Sequence, residues 1–228
     1  YAPQQMPVNF AIRGAAYDLS KFDGFSDVIT NFRTSALVPA SFNNGVYGLP
    51  EIETFPMLFY RKDILDEIGV PIPNSWPEVI RIIPDLQKNN MSLLLETGLG
   101  NTVDNTIGLS TYAMMLYQNG GAFYEGDGVR TLLDTKIAIE TFQNWCKLYT
   151  NYGLPTNFNT AYRFRTGESP LVIADMSLYN TLMISAPEIK GLWGLTTVPG
   201  TPQGDIINKS VKSNTTYTMI MSTCENTK

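Results

Sequence analysis

The chain has 228 residues, of which 43% are apolar and 16% charged, a globular composition with room for one large domain or two small ones. Sixteen Lys and Arg residues against 21 Asp and Glu residues give a net charge of −5 and a sequence pI near 4.8. The basic residues are scattered, which argues against nucleic acid and anionic membranes as partners because both attract clustered positive charge.

The N-terminal part of the chain predicts two short helices, a hairpin and a strand. Helix-compatible patterns cover 8–17 and 23–32. The turn sequence NNG at 43–45 lies between two apolar stretches, which is typical of a β-hairpin. An apolar run over 57–60 then predicts a buried strand.

Two helices are predicted to follow this strand. The first covers 61–68 and should end at Gly69, which can adopt the left-handed conformation of a helix C-terminus. The second begins at Ser75, because Ser75 and Glu78 have the spacing of a capping box. Pro84 should kink this second helix, since a proline has no N–H group to donate to the preceding turn.

Strands and helices alternate along the rest of the chain. Asp134 is predicted to cap a strongly periodic helix over 135–152, whose inward stripe comprises Ile137, Phe142, Trp145, Leu148, Tyr149 and Tyr152. Asp175 should cap a later helix. The other predicted elements are a strand at 92–95, a helix at 106–118, a helix end at 162–166, and strands at 171–174, 193–198 and 215–222. This alternation predicts an α/β layered domain.

Two acidic residues, Glu51 and Glu53, lie between Pro50 and Pro56 where two apolar runs are separated. Residues two apart in an extended segment share one face, so the pair has the spacing of a carboxylate dyad such as retaining glycosidases use about 5–5.5 Å apart. Glycosidases usually draw that pair from different elements, however. Ligand contact by Glu51, Glu53 or Thr54, and a solvated polar crossover, are the other two interpretations.

Several kinds of chemistry have no support in the sequence. There is no histidine, which removes His-based triads, the usual zinc ligands and the commonest general base. Walker, GxGxxG and GxSxG motifs do not occur, and the loop 125–128 lacks the spaced ligand set of a calcium site. We therefore expect no cofactor and no metal. Cys146 falls in a helical apolar pattern typical of a buried thiol, and a disulfide with Cys224 stays open.

Six short motifs nevertheless occur in a familiar order. They are VYGLP (46–50), LFYRKDIL (58–65), IPNSWPE (72–78), QNGGAF (118–123), FRTGESPLVI (164–173) and WGLTTVPG (193–200). Together they resemble the family 1 extracellular solute-binding proteins, the maltose-binding-protein-like receptors of bacterial ABC importers. The chain departs from the family pattern at Arg61, where Asn is common, and at Pro170 and Leu171, where Ala-Met is common.

The resemblance implies an α/β, periplasmic-binding-protein-like (type II) fold with two lobes that the chain crosses between more than once. On that template, 1–55 is a partial first lobe with its crossover, 56–204 is a nearly complete second lobe, and 205–228 returns to the first. Neither end of the chain has the character of a natural boundary, which we interpret as a piece of a longer protein.

The resemblance also implies a function. The protein would bind a carbohydrate or a related polar solute between the lobes by hinge closure, without catalysis, and would deliver it to the membrane permease of an ABC importer. It would lie at the extracellular face of the cell membrane or in the periplasm. Because much of one lobe lies outside this sequence on that template, we expect the chain alone to bind sugar weakly or not at all. A carbohydrate hydrolase using Glu51 or Glu53, and a signalling or structural module, stay open.

The ligand-binding residues implied by the resemblance lie in four segments. They are Gln4 and Gln5 in a strand-end loop, Glu53 and Thr54 on the crossover, Asn105 and Ser110 near the start of a helix, and Asp175, Ser177 and Tyr179 after the strand at 171–174. They supply amides, carboxylates, hydroxyls and an aromatic ring, which suits an uncharged polar ligand.

Overall fold

A computed structural model describes residues 1–95, 110–126 and 128–225. Its α-helices are α1 (Met6–Ile12), α2 (Phe25–Ile29), α3 (Thr34–Leu37), α4 (Lys62–Ile68), α5 (Trp76–Lys88), α6 (Ser110–Gln118), α7 (Lys136–Thr150), α8 (Thr160–Thr166) and α9 (Leu178–Ser185). Short 3-10 turns occur at Leu19–Lys21, Val38–Ala40 and Pro187–Ile189. Within the described ranges, no helix is both long enough and apolar enough to cross a membrane.

The β-strands are short and fall into four sheets. They are β1 (Ala2–Pro3), β2 (Ser41–Phe42), β3 (Gly45–Val46), β4 (Leu49–Thr54), β5 (Pro56–Arg61), β6 (Leu93–Leu95), β7 (Leu171–Asp175), β8 (Trp193–Thr196), β9 (Thr201–Gln203), β10 (Ile206–Asn208) and β11 (Asn214–Thr218). The sheet orders are β1-β11-β4, β2-β3, β6-β7-β5-β8 and β9-β10.

The chain forms two compact units, one made of Tyr1–Thr54 with Ser213–Lys228 and the other of Phe55–Lys212. The second unit therefore extends past residue 204, where the sequence analysis placed its end. The physical reason is the antiparallel hairpin of β9 and β10, which packs against α6. From this hairpin the Asn208 amide donates to the carbonyls of Tyr117 and Gln118 at 3.2 and 3.0 Å.

The first unit contains the predicted hairpin. Strands β2 and β3 pair antiparallel, with Phe42 opposite Gly45. Asn43 and Asn44 connect them with φ values of 47° and 64°. Two consecutive left-handed residues form the turn whose twist matches that of paired strands, and Asn tolerates this conformation better than most residues. The hairpin prediction is confirmed.

The other sheet of the first unit is built on Tyr217 in its central strand. Tyr217 is fully buried, and its hydroxyl donates to the Ala36 carbonyl at 2.6 Å. Gly48 lies against this ring because it has no side chain. A Cβ atom at Gly48 would be only 3.1 Å from the Tyr217 Cβ and 3.2 Å from the Pro7 ring.

A β-bulge in β4 separates Glu51 from Glu53. Ile52 lies opposite Thr216 but Pro50 lies opposite Tyr217, so Glu51 is an extra residue without a partner in the ladder. Opposed residues project to the same face, which places Glu53 with Thr215 and Tyr217 on the covered face.

Glu51 is on the other face of the same strand. Its carboxylate accepts a hydrogen bond from the Thr218 hydroxyl. A hydrogen bond with Glu51 and the negative charge of Glu51 raise the pKa of the Tyr1 hydroxyl. The expectation that Glu51 and Glu53 share one face is therefore wrong, because the bulge reverses the alternation between them.

The second unit is organised around β5. This strand pairs antiparallel with β7 on one side and with β8 on the other, and β6 pairs parallel with β7. Successive residues of β5 point to opposite faces, and Leu58 and Phe59 are both fully buried. Leu58 joins the core beneath α5, α6 and α7, whereas Phe59 joins the core beneath α8 and α9. Helices on both faces of the sheet confirm the predicted α/β layering.

Arg61, at the end of β5, is a buried cation that uses four of its five N–H donors in hydrogen bonds. Its Nε and NH2 groups donate to the two carboxylate oxygens of Asp63 at 2.9 and 2.7 Å. Its NH1 group donates to the carbonyls of Phe164 and Arg165, both at 3.1 Å. A charge excluded from water needs such partners, so Arg61 joins β5 to the ends of α4 and α8.

Two predicted helix starts differ in detail from the structure. At α5, Glu78 accepts a hydrogen bond from the Asn74 N–H at 2.7 Å, but the Ser75 hydroxyl caps no N–H group of the described residues. The predicted capping box is therefore not formed, because its second hydrogen bond would come from the Ser75 N–H group, and α5 continues through Pro84. At α7 the capping residue is Thr135 and not Asp134, since the Thr135 hydroxyl accepts from the Ala138 N–H.

The inward face of α7 agrees with the predicted stripe only in part. Trp145 and Leu148 are buried as predicted, whereas Ile137 and Phe142 are 44% and 47% exposed, and Ala138 and Thr141 are buried in their place. The observed face instead admits small side chains, because α6 packs closely against α7 through Tyr112, whose hydroxyl donates to the Ala138 carbonyl at 3.3 Å.

Replacement of Asp63 by Asn should destabilise the protein by about 1–3 kcal/mol at pH 7, because the Arg61 cation loses its charged partner. Hydrogen bonds from Arg61 lower the pKa of Asp63. The stability that the Arg61–Asp63 pair contributes is therefore fully present above the ordinary carboxyl pKa. It is lost as the pH falls through the lowered pKa that Asp63 has in the folded protein. Urea unfolding of both proteins from pH 7 to pH 3 should show the difference shrinking toward acid. Asp66→Asn, on the exposed side of α4, should change little, and a pH-independent difference would contradict the assignment.

The opposite faces of Glu51 and Glu53 can be tested through Tyr1. Glu51→Gln should bring the pKa of Tyr1 down toward its ordinary value, because the substitution removes the charge that raises it. Glu53→Gln is the matched control and should leave the pKa of Tyr1 unchanged. Carbon-13 NMR of labelled tyrosine rings during a pH titration measures both. Equal effects of the two substitutions would show that the two carboxylates share a face.

Candidate functional site

In the main sheet of the second unit, the carboxyl ends of three strands lie at one edge. Strands β6, β7 and β8 run in the same direction and β5 runs against them, so three carboxyl ends meet the amino end of β5. Asp175, the last residue of β7, lies directly opposite Pro56, the first residue of β5. Ligands of open α/β sheets bind beyond the carboxyl ends of the strands. A ligand site is therefore expected at this edge.

Asp175 organises the turn that leads from β7 into α9. Its Oδ1 atom accepts a hydrogen bond from the Ser177 N–H at 2.9 Å, and the Met176 N–H donates to the Phe55 carbonyl at 3.1 Å. The prediction that Asp175 caps the helix is therefore wrong, because α9 begins at Leu178 and its N-cap residue is Ser177, whose N–H group donates to Asp175. The turn leaves Ser177 exposed at the start of the helix and the Asp175 side chain half-buried beside it.

Tyr179 offers an aromatic surface next to this turn. Its ring meets the Trp193 ring in an edge-to-face arrangement, with 5.6 Å between ring centroids and 67° between planes. Tyr179 is still 41% exposed. Trp193 in turn contacts the buried rings of Phe59 and Phe164. The core therefore fixes Tyr179 in place while part of its ring stays open for a ligand.

A cavity of about 390 Å³ adjoins the same turn. It lies between the start of α8 and the start of α9, and its lining residues are Phe158, Asn159, Thr160, Ala161, Ser177, Leu178 and Thr181. The Asn159 side chain holds one wall by accepting a hydrogen bond from the Tyr162 N–H at 2.9 Å. This volume is within the range of small-molecule sites.

The first unit brings four predicted residues to one edge of its own sheet. Gln4 and Gln5 follow β1, whose last residue Pro3 lies opposite Thr216. Glu53 lies opposite Thr215 and Thr54 opposite Asn214 at the end of β4. The ends of β1 and β4 therefore flank the start of β11, and all four residues lie at that edge.

Glu53 also affects the electrostatics of this sheet. Burial raises the pKa of Tyr217, a hydrogen bond with Thr215 lowers it, and the negative charge of Glu53 raises it further. Glu53 lies opposite Thr215, on the same covered face as Tyr217.

The nine predicted residues thus form one group in each unit, with two exceptions. Asn105 lies outside the described residues. Ser110 is the first residue of α6, and nothing is described of its side chain. Contact of all nine with a ligand stays a prediction.

The residues that support the Asp175 turn are not among the nine predicted from the sequence. Trp193, which supports Tyr179, was treated only as part of a strand motif. The cavity wall formed by 158–161 was not identified at all, because it depends on α8 and α9 lying side by side. The spacing of Asn159 before α8 is a capping signal that could have located one wall.

The chain matches a known family over nearly its whole length. A family model described as bacterial extracellular solute-binding protein covers residues 9–228. Solved structures give the same fold. A solute-binding protein of an ABC transporter from Thermotoga lettingae, bound with α-D-tagatose, has 16% identity and a TM-score of 0.77. Maltose-bound MalE3 of T. maritima has 19% identity and a TM-score of 0.78. UgpB of Mycobacterium tuberculosis, in complex with glycerophosphocholine, has 19% identity and a TM-score of 0.76.

These alignments cover 99%, 97% and 98% of this chain but 58%, 56% and 55% of the three structures, so the chain spans little more than half of their length. At such identities the likeness establishes the fold, and it confirms the predicted α/β, periplasmic-binding-protein-like (type II) class. The match of the family model over residues 9–228 establishes more, and the chain belongs to the bacterial extracellular solute-binding protein family.

Proposed function

We propose that the protein is the substrate-binding component of an ABC-type importer and that its ligand is a carbohydrate or a similar uncharged polar solute. The observation that carries this proposal is the aromatic and polar surface around Asp175. There a half-exposed Tyr179 ring, held by Trp193, lies next to a carboxylate, an exposed serine and a cavity of about 390 Å³. Sugars need this combination of a flat apolar face and directional hydrogen-bonding groups.

The charge of the predicted residues favours a neutral ligand over a phosphate. Among the nine, the charged residues are Glu53 and Asp175, and both are acidic. Carboxylates repel a phosphodiester unless cations compensate them. Related proteins cover both chemistries, since α-D-tagatose and maltose are bound in two of the structures and glycerophosphocholine in the third. The two acidic residues therefore favour an uncharged sugar over a phosphodiester as the ligand.

Binding is favoured over hydrolysis on two grounds. The family is one of solute-binding proteins. In addition, Glu51 and Glu53 project to opposite faces of β4, which removes the geometric basis for a catalytic pair. On this proposal a membrane permease is the partner of the whole protein. Its location is the extracellular face of the membrane or the periplasm, and its two lobes close around the ligand.

The proposal predicts weak sugar binding that depends on Tyr179. Saturation-transfer NMR of the 228-residue chain with maltose and with tagatose should give dissociation constants in the millimolar range. Tyr179→Ala should weaken binding about three- to tenfold, the worth of one aromatic contact.

Tyr124→Ala is the matched control, because Tyr124 is 58% exposed in the loop between α6 and α7, away from the Asp175 turn. It should leave sugar binding unchanged. Equal losses in the two variants would contradict the assignment of the site. Saturation by glycerophosphocholine in the absence of any sugar signal would contradict the ligand class.

A further inference from the structure

A second cavity lies on the helical side of the second unit, and none of the nine predicted residues lines it. Its volume is about 330 Å³, at the lower end of the range for small-molecule sites. Apolar side chains form most of its walls, including Trp76 and Ile80 of α5, Tyr152 after α7, and Pro202 of β9. The polar groups are concentrated on α6 and α7, which gives the cavity an apolar floor and a polar side.

The apolar wall is held rigidly by buried hydrogen bonds. The Trp76 Nε1–H group donates to the Gln118 Oε1 atom at 2.7 Å. The Gln118 Nε2 group donates to the Pro199 carbonyl at 3.1 Å, and Gln118 is fully buried. The indole therefore cannot turn without breaking a buried network, and its ring is fixed in the wall.

Asn119 presents a preoriented hydrogen-bond acceptor on the polar side. Its Nδ2 group donates to the Met115 carbonyl at 2.9 Å and to the Thr141 hydroxyl at 3.2 Å. Both amide hydrogens are then in use, and the Oδ1 atom accepts no hydrogen bond from the described residues. A ligand with an N–H group would satisfy this oxygen.

Lys147 supplies a positive charge at the rim. Its Nζ group donates to the Asn144 Oδ1 atom at 3.2 Å, which leaves two of its three donors. No carboxylate in the described part of the chain forms an ion pair with it. Lys147 is six residues beyond Thr141, the partner of Asn119, which corresponds to about 9 Å along α7. The bond to Asn144, which also lines the cavity, holds the cation on the same polar side as Asn119.

We propose that this cavity binds an aromatic carboxylic acid that carries a ring N–H group. The flat ring lies against Trp76, Ile80 and Pro202, the carboxylate pairs with Lys147 and the Asn144 amide, and the ring N–H donates to the Asn119 Oδ1 atom. A carbohydrate fits less well because the walls are predominantly apolar. This site is separate from the Asp175 turn, so the protein would recognise a second class of small molecule.

Indole-3-acetate is the probe for this site, and the whole 228-residue chain is used. Methyl NMR should show the Ile80 signal shifting on titration, with a dissociation constant in the millimolar range expected of a ligand this small. Two analogues separate the contacts. Indole-3-acetamide lacks the charge and should bind about tenfold more weakly, and naphthalene-1-acetate lacks the N–H group and should bind several-fold more weakly.

Lys147→Gln tests the same contact from the protein side. It should weaken indole-3-acetate about tenfold and leave the acetamide unchanged, because the acetamide has no charge to lose. Lys88→Gln, an exposed lysine at the end of α5, is the control and should change neither affinity. Equal affinity of wild type and Lys147→Gln for indole-3-acetate would overturn the proposal. Shifts confined to the residues around Asp175 would overturn it as well, while leaving the sugar site intact.

Discussion

The architecture of the second unit depends on how one buried cation is satisfied. Arg61 is 6% exposed and uses its guanidinium to hold the Asp63 carboxylate and two carbonyls at the end of α8. A guanidinium in this position tolerates few arrangements, because every unpaired N–H group would be costly. It therefore fixes the exit of β5, the start of α4 and the approach to β7 at once. Since β5 pairs with both β7 and β8, the opposite edge of the sheet is set by the same constraint.

The candidate ligand-binding residues of the second unit lie at that opposite edge. Asp175 is the last residue of β7, and the pairing of β7 with β5 places it opposite Pro56. The turn after Asp175 is held by the hydrogen bond from the Met176 N–H group to the Phe55 carbonyl. The two sides of the sheet then serve different purposes. The side covered by α8 and α9 supports Tyr179 through Trp193 and forms the cavity beside Ser177. The side covered by α5, α6 and α7 contains the second cavity, whose wall is the Trp76–Gln118 pair.

Local signals were sufficient for the elements whose causes are local. The NNG hairpin, the end of α4 at Gly69 and the apolar strand at β5 could be read from neighbouring residues. Features that depend on distant partners could not. The face occupied by Glu53 is decided by pairing with β11, more than 150 positions later in the printed sequence. The burial of Ala138 in place of Ile137 is decided by α6. The nine site residues come from the family motifs and stay a prediction, whereas the role of Trp193 as the support of Tyr179 could not be predicted from those motifs.

The bulge at Glu51 has a consequence for how such proteins diversify. It absorbs one residue in β4 while the pairing on either side continues, so the strand tolerates a change in length without loss of the sheet. A single-codon deletion of Glu51 would leave Pro50 opposite Tyr217 and Ile52 opposite Thr216, so Glu53 and Thr54 would keep their faces. Differences in length at this position therefore leave the predicted ligand residues of β4 in place, with the fold retained. Among homologues that share 15–19% identity, equivalence of positions in this strand is set by pairing and not by counting residues from a motif.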